Sequence, residues 1–174
     1  SQWTGEYEAV GQEHKHYLVS LERDTLRIKQ LWNNEIFSLV PVSPTLFSRQ
    51  DIPVIQFEWD ERKPGQMQVQ DRLETFMTKQ VPSFNIATVK DVSQYAGEYF
   101  SEEVNAAYVL KADGAKLTYS LKGASESNTL VMVRPDVFGV LGMGFIFQRK
   151  VEGSVDGFYL QDRRIRNLQF KKVK

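Results

Sequence analysis

Trp3-Thr4-Gly5-Glu6-Tyr7 returns as Tyr95-Ala96-Gly97-Glu98-Tyr99, and this recurrence decides the fold. Beyond it, Tyr17-Leu18-Val19 stands 91 residues before Tyr108-Val109-Leu110, and Leu26 the same distance before Leu117. Pro44-Thr45-Leu46-Phe47 keeps that offset against Pro135-Asp136-Val137-Phe138. A slip of one then sets Ile55 and Phe57 on Phe145 and Phe147, and Gln70-Asp71-Arg72 comes back as Gln161-Asp162-Arg163. An offset kept through five blocks marks an internal duplication. The first copy covers 1–80 and the second 95–174, with 81–94 as linker. In the linker Asp91 is placed to cap a single helical turn that Gly97 ends. The first copy starts at Ser1 without a matching lead-in, which raises the expectation that the chain was cut from something longer or lost a processed leader.

Within each copy no stretch of a dozen residues keeps apolar positions at helical spacing, whereas short alternating stretches abound. The first copy reads as strands at Tyr17–Leu21, Leu26–Lys29, Ile36–Val40, Leu46–Arg49, Val54–Trp59, Gln66–Gln70 and Leu73–Thr78. In the second, Ala107–Leu110 and Lys116–Leu121 flank Asp113-Gly114, a hairpin signal because glycine accepts the positive φ of tight turns. About eight short strands per copy, joined by turns, suit antiparallel up-and-down order. Closing such a sheet buries one face and removes both edges. The expectation is an all-β chain of two tandem small antiparallel β-barrels of lipocalin-like type.

Composition narrows the function classes. There are 22 basic and 22 acidic side chains and no cysteine, which argues against nucleic-acid binding by bulk electrostatics and rules out disulfides and cysteine nucleophiles. The neutrality is a sum: 1–80 carries 9 basic against 12 acidic residues, and 95–174 carries 12 against 9. Opposite signs favour association of the copies, although exposed pairs are individually weak. The longest nearly apolar run, Val137–Phe147, has eleven residues broken by Gly139, Gly142 and Gly144. A membrane helix needs about 20.

Catalytic and cofactor signatures are missing. No Ser-x-x-Lys, Gly-x-Ser-x-Gly or Walker lysine loop occurs. Gly139, Gly142 and Gly144 lead into the strand-like Phe145-Ile146-Phe147 rather than a helix, so they suit a turn or a curved strand better than a phosphate loop. No cofactor is expected. His14 and His16, two apart, could share a metal on one strand face. The sequence fixes no third ligand, and the second copy has Val104-Asn105-Ala106-Ala107 there, so Glu13-His14-Lys15-His16 reads rather as a polar turn entering a strand. The repeated polar features are Gly5, Tyr7, Gly97 and Tyr99, with Gln70, Asp71 and Arg72 matched by Gln161, Asp162 and Arg163. The latter triplets read as turns at strand junctions, Asp accepting hydrogen bonds and Arg covering a barrel end. Arg163, Arg164, Arg166, Lys171 and Lys172 form a basic cluster and a possible interaction surface.

The second copy carries a resemblance on Tyr95-Ala96-Gly97-Glu98-Tyr99, Asp113-Gly114, Pro135-Asp136-Val137-Phe138, Phe145-Ile146-Phe147 and Gly157-Phe158 with Arg166-Asn167-Leu168-Gln169-Phe170. It resembles the lipocalin-like β-barrel module that follows the catalytic domain in β-lactamase-related serine hydrolases and D-aminopeptidases. The likeness covers 95–173. The first copy follows more loosely, departing at the charged stretch 59–64. The resemblance implies a non-catalytic accessory module of a bacterial cell-envelope protein, periplasmic or secreted, whose partner is a hydrolase domain in the same or another chain. No residue here matches that family's Ser-x-x-Lys. The alternative is a lipocalin-like carrier of a small apolar or peptide-like ligand.

Overall fold

A computed structural model describes residues 2–173. The chain divides into two compact units, 1–83 and 84–174. Each unit holds one closed eight-stranded antiparallel barrel, so the expected all-β chain of two tandem antiparallel barrels is the observed one.

The first barrel runs β1 (Gly5–Ala9), β2 (Gln12–Glu22), β3 (Thr25–Gln30), β4 (Ile36–Pro41), β5 (Leu46–Arg49), β6 (Gln56–Trp59), β7 (Gln66–Asp71) and β8 (Glu74–Val81). Neighbours in sequence are neighbours in the sheet, and β8 returns to β1 with Tyr7 opposite Gln80. The second runs β9 (Gly97–Ser101), β10 (Ala106–Asp113), β11 (Lys116–Leu121), β12 (Asn128–Arg134), β13 (Val137–Val140), β14 (Met143–Arg149), β15 (Val155–Gln161) and β16 (Leu168–Lys172). It closes through Tyr99 opposite Lys172.

The twofold motif has a backbone reason. Gly5 and Gly97 sit at φ +142° and +148°, which side chains with a Cβ rarely adopt. The chain is thereby turned so that each motif tyrosine ties back four residues. The Tyr7 hydroxyl donates to the Trp3 carbonyl at 3.1 Å, and the Tyr99 hydroxyl to that of Tyr95 at 2.8 Å. The β2–β3 turn takes positive φ at both Arg23 and Asp24, the type I′ pattern. The β10–β11 turn uses Gly114 at +56°.

Three expectations are corrected. Val54 and Ile55 are not strand: Pro53 has no N–H to give, the Ile55 amide turns back onto the Ile52 carbonyl at 2.9 Å, and β6 starts at Gln56. Leu73 is the 76%-exposed tip of the β7–β8 turn. The helical turn near 91–97 is a 3₁₀ turn at Ser93–Tyr95 that ends at Ala96, while Gly97 opens β9; a second one, Ile86–Thr88, is capped by the Asn85 side chain.

The repeat alignment shifts at β6. Phe47 faces Phe57 across β5–β6, and Phe138 faces Phe145 across β13–β14. Phe57 and Trp59, not Ile55 and Phe57, are therefore the counterparts of Phe145 and Phe147. The loop before β6 holds six residues (50–55), against two (141–142) before β14.

Aromatic side chains fill both interiors. Trp59 meets Trp3 at 5.6 Å, Phe47 at 5.5 Å and Tyr7 at 6.3 Å between centroids. Phe147 meets their counterparts Tyr95, Phe138 and Tyr99 at 4.7, 5.5 and 6.0 Å. Deeper in the second barrel Phe158 stacks on Phe170 and meets Phe145, each at 4.9 Å. These contacts add roughly 0.5–1.5 kcal/mol apiece to the burial of the rings.

Candidate functional site

With the interiors filled by their own side chains, the barrel ends carry the distinctive chemistry. At the end where β9 starts, Arg149 closes the second barrel. Its guanidinium takes both oxygens of Asp136 at 2.7–3.0 Å and donates to Gln94 Oε1 at 2.8 Å and the Gly153 carbonyl at 2.6 Å. The Tyr95 hydroxyl donates to Asp136 Oδ1 at 3.0 Å and accepts from the Asp136 amide at 3.1 Å. Desolvation by burial raises the Tyr95 phenol, and the hydrogen-bonded Asp136 carboxylate raises Arg149. The groups satisfy one another, and the arrangement is a latch.

Residues 85–95 complete the closure. The Val92 amide donates to the Gly114 carbonyl of the β10–β11 turn at 3.0 Å, and the Ile86–Thr88 turn packs on β12. The Val92 side chain is 0% exposed and belongs to one apolar cluster with Leu117, Leu130 and Phe138, against which Val89 also packs. Asp91 shapes this segment, its carboxylate accepting from the Ser93 amide at 2.8 Å and hydroxyl at 2.7 Å.

The corresponding end of the first barrel is open in two places. The counterparts of Leu117, Leu130 and Phe138 are Leu26, Leu39 and Phe47, and with Trp3 they line a pocket of about 470 Å³. It enters where β3 and β4 part, because their pairing stops at Arg27–Ser38 on the way to this end. Asp24 is the charged residue among those lining it. A second depression, of about 460 Å³, runs from Thr45 and Trp59 over 60–63 to Met77. Thr45 and Glu61 occupy the positions of Asp136 and Arg149, so the latch pair has no equivalent here.

At the opposite end of the first barrel Arg49, 6% exposed, lies 4.2 Å over the Phe37 ring. It donates to Asp51 at 2.7 and 2.9 Å and to Glu35 at 2.6 Å. The hydrogen bond from Arg49 lowers the Asp51 carboxyl.

The histidines require a correction. Glu13-His14-Lys15-His16 is no turn: it lies inside β2, and both rings are 0% exposed. His16 sits opposite Glu8 in the β1–β2 ladder, its Nδ1 2.7 Å from Glu6 Oε1 and its Nε2 3.5 Å from Glu8 Oε2. Lys79 lies 3.3 Å from Glu8. No group of three or more His, Asp or Glu side chains able to hold a metal occurs among the described residues.

Gln70 and Asp71 end β7, and Arg72 lies in the two-residue turn that follows. Gln161 ends β15, and the Asp162 carboxylate accepts from the amides of Arg164 and Ile165 at 2.5 and 2.6 Å. This turn exposes Arg163, Arg164 and Arg166. The basic cluster divides there. Lys171 is exposed on β16, while the Lys172 amine is held by the Gln94 carbonyl at 3.1 Å and lies 5.7 Å over the Tyr99 ring, desolvation lowering its pKa. Gly139 and Gly144 face each other across the β13–β14 ladder, and Gly142 lies in the turn between those strands.

Arg49, Arg149 and the pocket escaped the sequence reading. Pro135-Asp136 was the one visible signal for the latch, and its arginine lies in an ordinary strand-end sequence. No helix among the described residues is long and apolar enough to cross a membrane. Comparison with protein-family models and with curated proteins finds no match.

Proposed function

We propose that the chain is a non-catalytic binding module in which the first barrel offers a recognition pocket. The observation that carries this reading is the pocket at the mouth of the first barrel, of about 470 Å³, lined by Leu26, Leu39 and Phe47 with Trp3 beside them. That volume lies in the range of ligand sites, about 300–1,000 Å³. Arg49 and Arg149 are engaged in internal ion pairs, which supports a role without bond-making chemistry.

The resemblance of the second copy extends this to an accessory module of an exported bacterial serine hydrolase of the β-lactamase-related group, in cis or in trans. The exposed Arg163, Arg164 and Arg166 are a second surface for such a partner. The carrier alternative draws on the same pocket, with a small ligand at the mouth rather than inside the barrel.

The test is a paired assay on the full chain. Ester, amide and β-lactam substrates are expected to show no turnover above background, while apolar probes perturb the NMR signals of Leu26, Leu39 and Trp3. Turnover that survives purification to homogeneity would overturn the non-catalytic reading, and unmoved pocket signals would remove the pocket.

A further inference from the structure

At the end of the second barrel away from the latch, every hairpin connection has an exposed aliphatic side chain in it or beside it. Val104 lies in the β9–β10 loop, Leu121 ends β11, Leu141 lies in the β13–β14 turn and Ile165 in the β15–β16 loop, each between 39% and 79% exposed. We propose that this end rests on the surface of a bilayer containing anionic phospholipid, with the aliphatic tips in the interface and Arg163, Arg164 and Arg166 against the lipid phosphates. The pocket of the first barrel plays no part in it.

Leu141 is the most telling of the four. It takes φ +49° and is followed by Gly142 at +83°, a type I′ turn whose first position suits asparagine, aspartate or glycine rather than a bulky apolar residue. The ladder sets this turn beside the arginine loop, because Gly144 at the start of β14 pairs with Gln161 at the end of β15. That loop is ordered by its own groups. The Asp162 amide donates to the Ile165 carbonyl at 2.8 Å, the Asp162 carboxylate accepts from the Arg164 and Ile165 amides, and Gln161 Nε2 donates to Asn167 Oδ1 at 3.1 Å. Asp162 is thereby engaged by backbone amides. Arg163, Arg164 and Arg166 are exposed, and none of them has an ion pair among the described residues, in contrast to Arg49 and Arg149.

Shape and charge together favour a lipid surface. Aliphatic tips on separate loops need a matching relief in a protein partner, whereas a bilayer accommodates them one by one. An aliphatic side chain beside cations without partners suits the interface of an anionic leaflet, where apolar groups reach the acyl boundary while guanidiniums stay at headgroup depth. Arginine also takes phosphate oxygens in pairs. The end is not basic throughout: Glu102 and Glu103 lie in the β9–β10 loop and Glu126 in the β11–β12 loop, where Lys122 is engaged by Glu98 at 2.7 Å. The cations are therefore gathered on the β15–β16 loop, and Glu102 and Glu103 oppose contact with an anionic surface. The equivalent end of the first barrel presents Leu73, also exposed, in a turn flanked by Asp71 and Glu74.

The test is co-sedimentation of the full-length protein with vesicles of phosphatidylglycerol and phosphatidylcholine in equal parts, against vesicles of phosphatidylcholine alone. Binding to the mixed vesicles is expected, weakening as salt rises, with little to the neutral ones. Arg164→Gln and Arg166→Gln should each lower the partition about fivefold, the effect of one cation near an anionic leaflet. Leu141→Asn suits the left-handed turn better than leucine, so the fold is kept, and the lost apolar contact should lower the partition about tenfold. Leu73→Asn should change nothing, and Glu102→Gln combined with Glu103→Gln should tighten binding by about threefold or more. Equal binding to both vesicles, or a loss with Leu73→Asn and none with Leu141→Asn, overturns the assignment. Polyglutamate is the probe for an acidic protein in place of lipid. If it moves the Leu141 and Ile165 NMR signals while the vesicles bring down no protein, the partner is an acidic polypeptide and the bilayer is overturned. If neither binds, the bilayer falls as well and the arginines only solvate their loop.

Discussion

The two barrels differ most where they are most alike in origin. Each begins with an aromatic residue, a glycine at positive φ and a tyrosine that ties back to the aromatic carbonyl. Past that shared start, the second barrel has the Arg149–Asp136–Tyr95 latch, while the first has Thr45, Glu61 and a charged depression at the same place. Closure of the sheet and closure of the barrel end are thus separate devices. The ladder and the aromatic core make the barrel, and a few residues outside them bridge the end of the second.

The largest expected effect breaks the comparison in the sheet itself. A Cβ added at Gly157 would lie 2.3 Å from the Phe170 carbonyl oxygen, a backbone atom that cannot yield cheaply. Its counterpart by register is Gln66, opposite Lys79 as Gly157 is opposite Lys171. Gly157→Ala is expected to cost about 3 kcal/mol or more through overpacking, and Gln66→Ala less than about 0.5 kcal/mol. Urea unfolding of the two variants checks it; equal midpoints would show that β15 and β16 can part without cost.

Next in size is the latch. Arg149→Met leaves Asp136 and Tyr95 without their main partner, and because the pair is only partly buried the expected loss is about 1–2 kcal/mol. Glu61→Ala at the matching site should stay within about 0.5 kcal/mol. A silent Arg149→Met would make the latch an ornament of a barrel already closed by its core.

How far these features could be read from sequence follows from the kind of interaction behind each. The barrels were legible because alternation and turn chemistry are local, and because the duplication repeats them. Register at β6 was not, since Phe57 and Ile55 are both apolar and only the length of the loop from Gln50 decides which of them faces Phe47. His14 and His16 look like a solvated turn among Glu13 and Lys15, yet the ladder with β1 sets Glu8 across from His16 and draws the stretch into a strand. Val92 gave no sign either: its role depends on the approach of the linker to Gly114, which lies 22 residues on and which no local pattern encodes.

A smaller effect sharpens the likeness of the two barrels. Tyr7→Phe and Tyr99→Phe each remove one hydroxyl bond to a carbonyl four residues back, worth about 1 kcal/mol apiece. Tyr7→Phe also takes from the buried Trp59 indole N–H the hydroxyl it donates to at 3.2 Å, so its loss should be the larger of the two. A larger loss for Tyr99 would mean that its shorter bond outweighs this second contact.

The least costly change separates the barrels by acid. Asp91 in the second unit and Asp51 in the first both have lowered carboxyl pKa values, the former chiefly through the Ser93 hydroxyl and the latter chiefly through the Arg49 guanidinium. A carboxyl lowered by folding contributes stability that is fully present above its unfolded value, near pH 4, and is lost as pH falls through the folded value. Acid therefore loosens different ends. In the second barrel it releases the segment that buries Val92, and in the first the Arg49 ion pairs at the end away from the pocket. Hydrogen-exchange protection of the Val92 amide, bonded to Gly114, and of the Arg49 amide, bonded to Ile55 at 2.9 Å, reports the two events separately. Both protections are expected to fall between about pH 5 and pH 2. Asp91→Asn keeps a side-chain carbonyl to accept from Ser93 but has no charge to lose, so Val92 protection becomes flat with pH while that of Arg49 still falls. If Val92 in the unsubstituted protein held its protection down to pH 2, the cover of the second barrel would not depend on Asp91, and the aliphatic contacts of Val89 and Val92 alone would hold it shut.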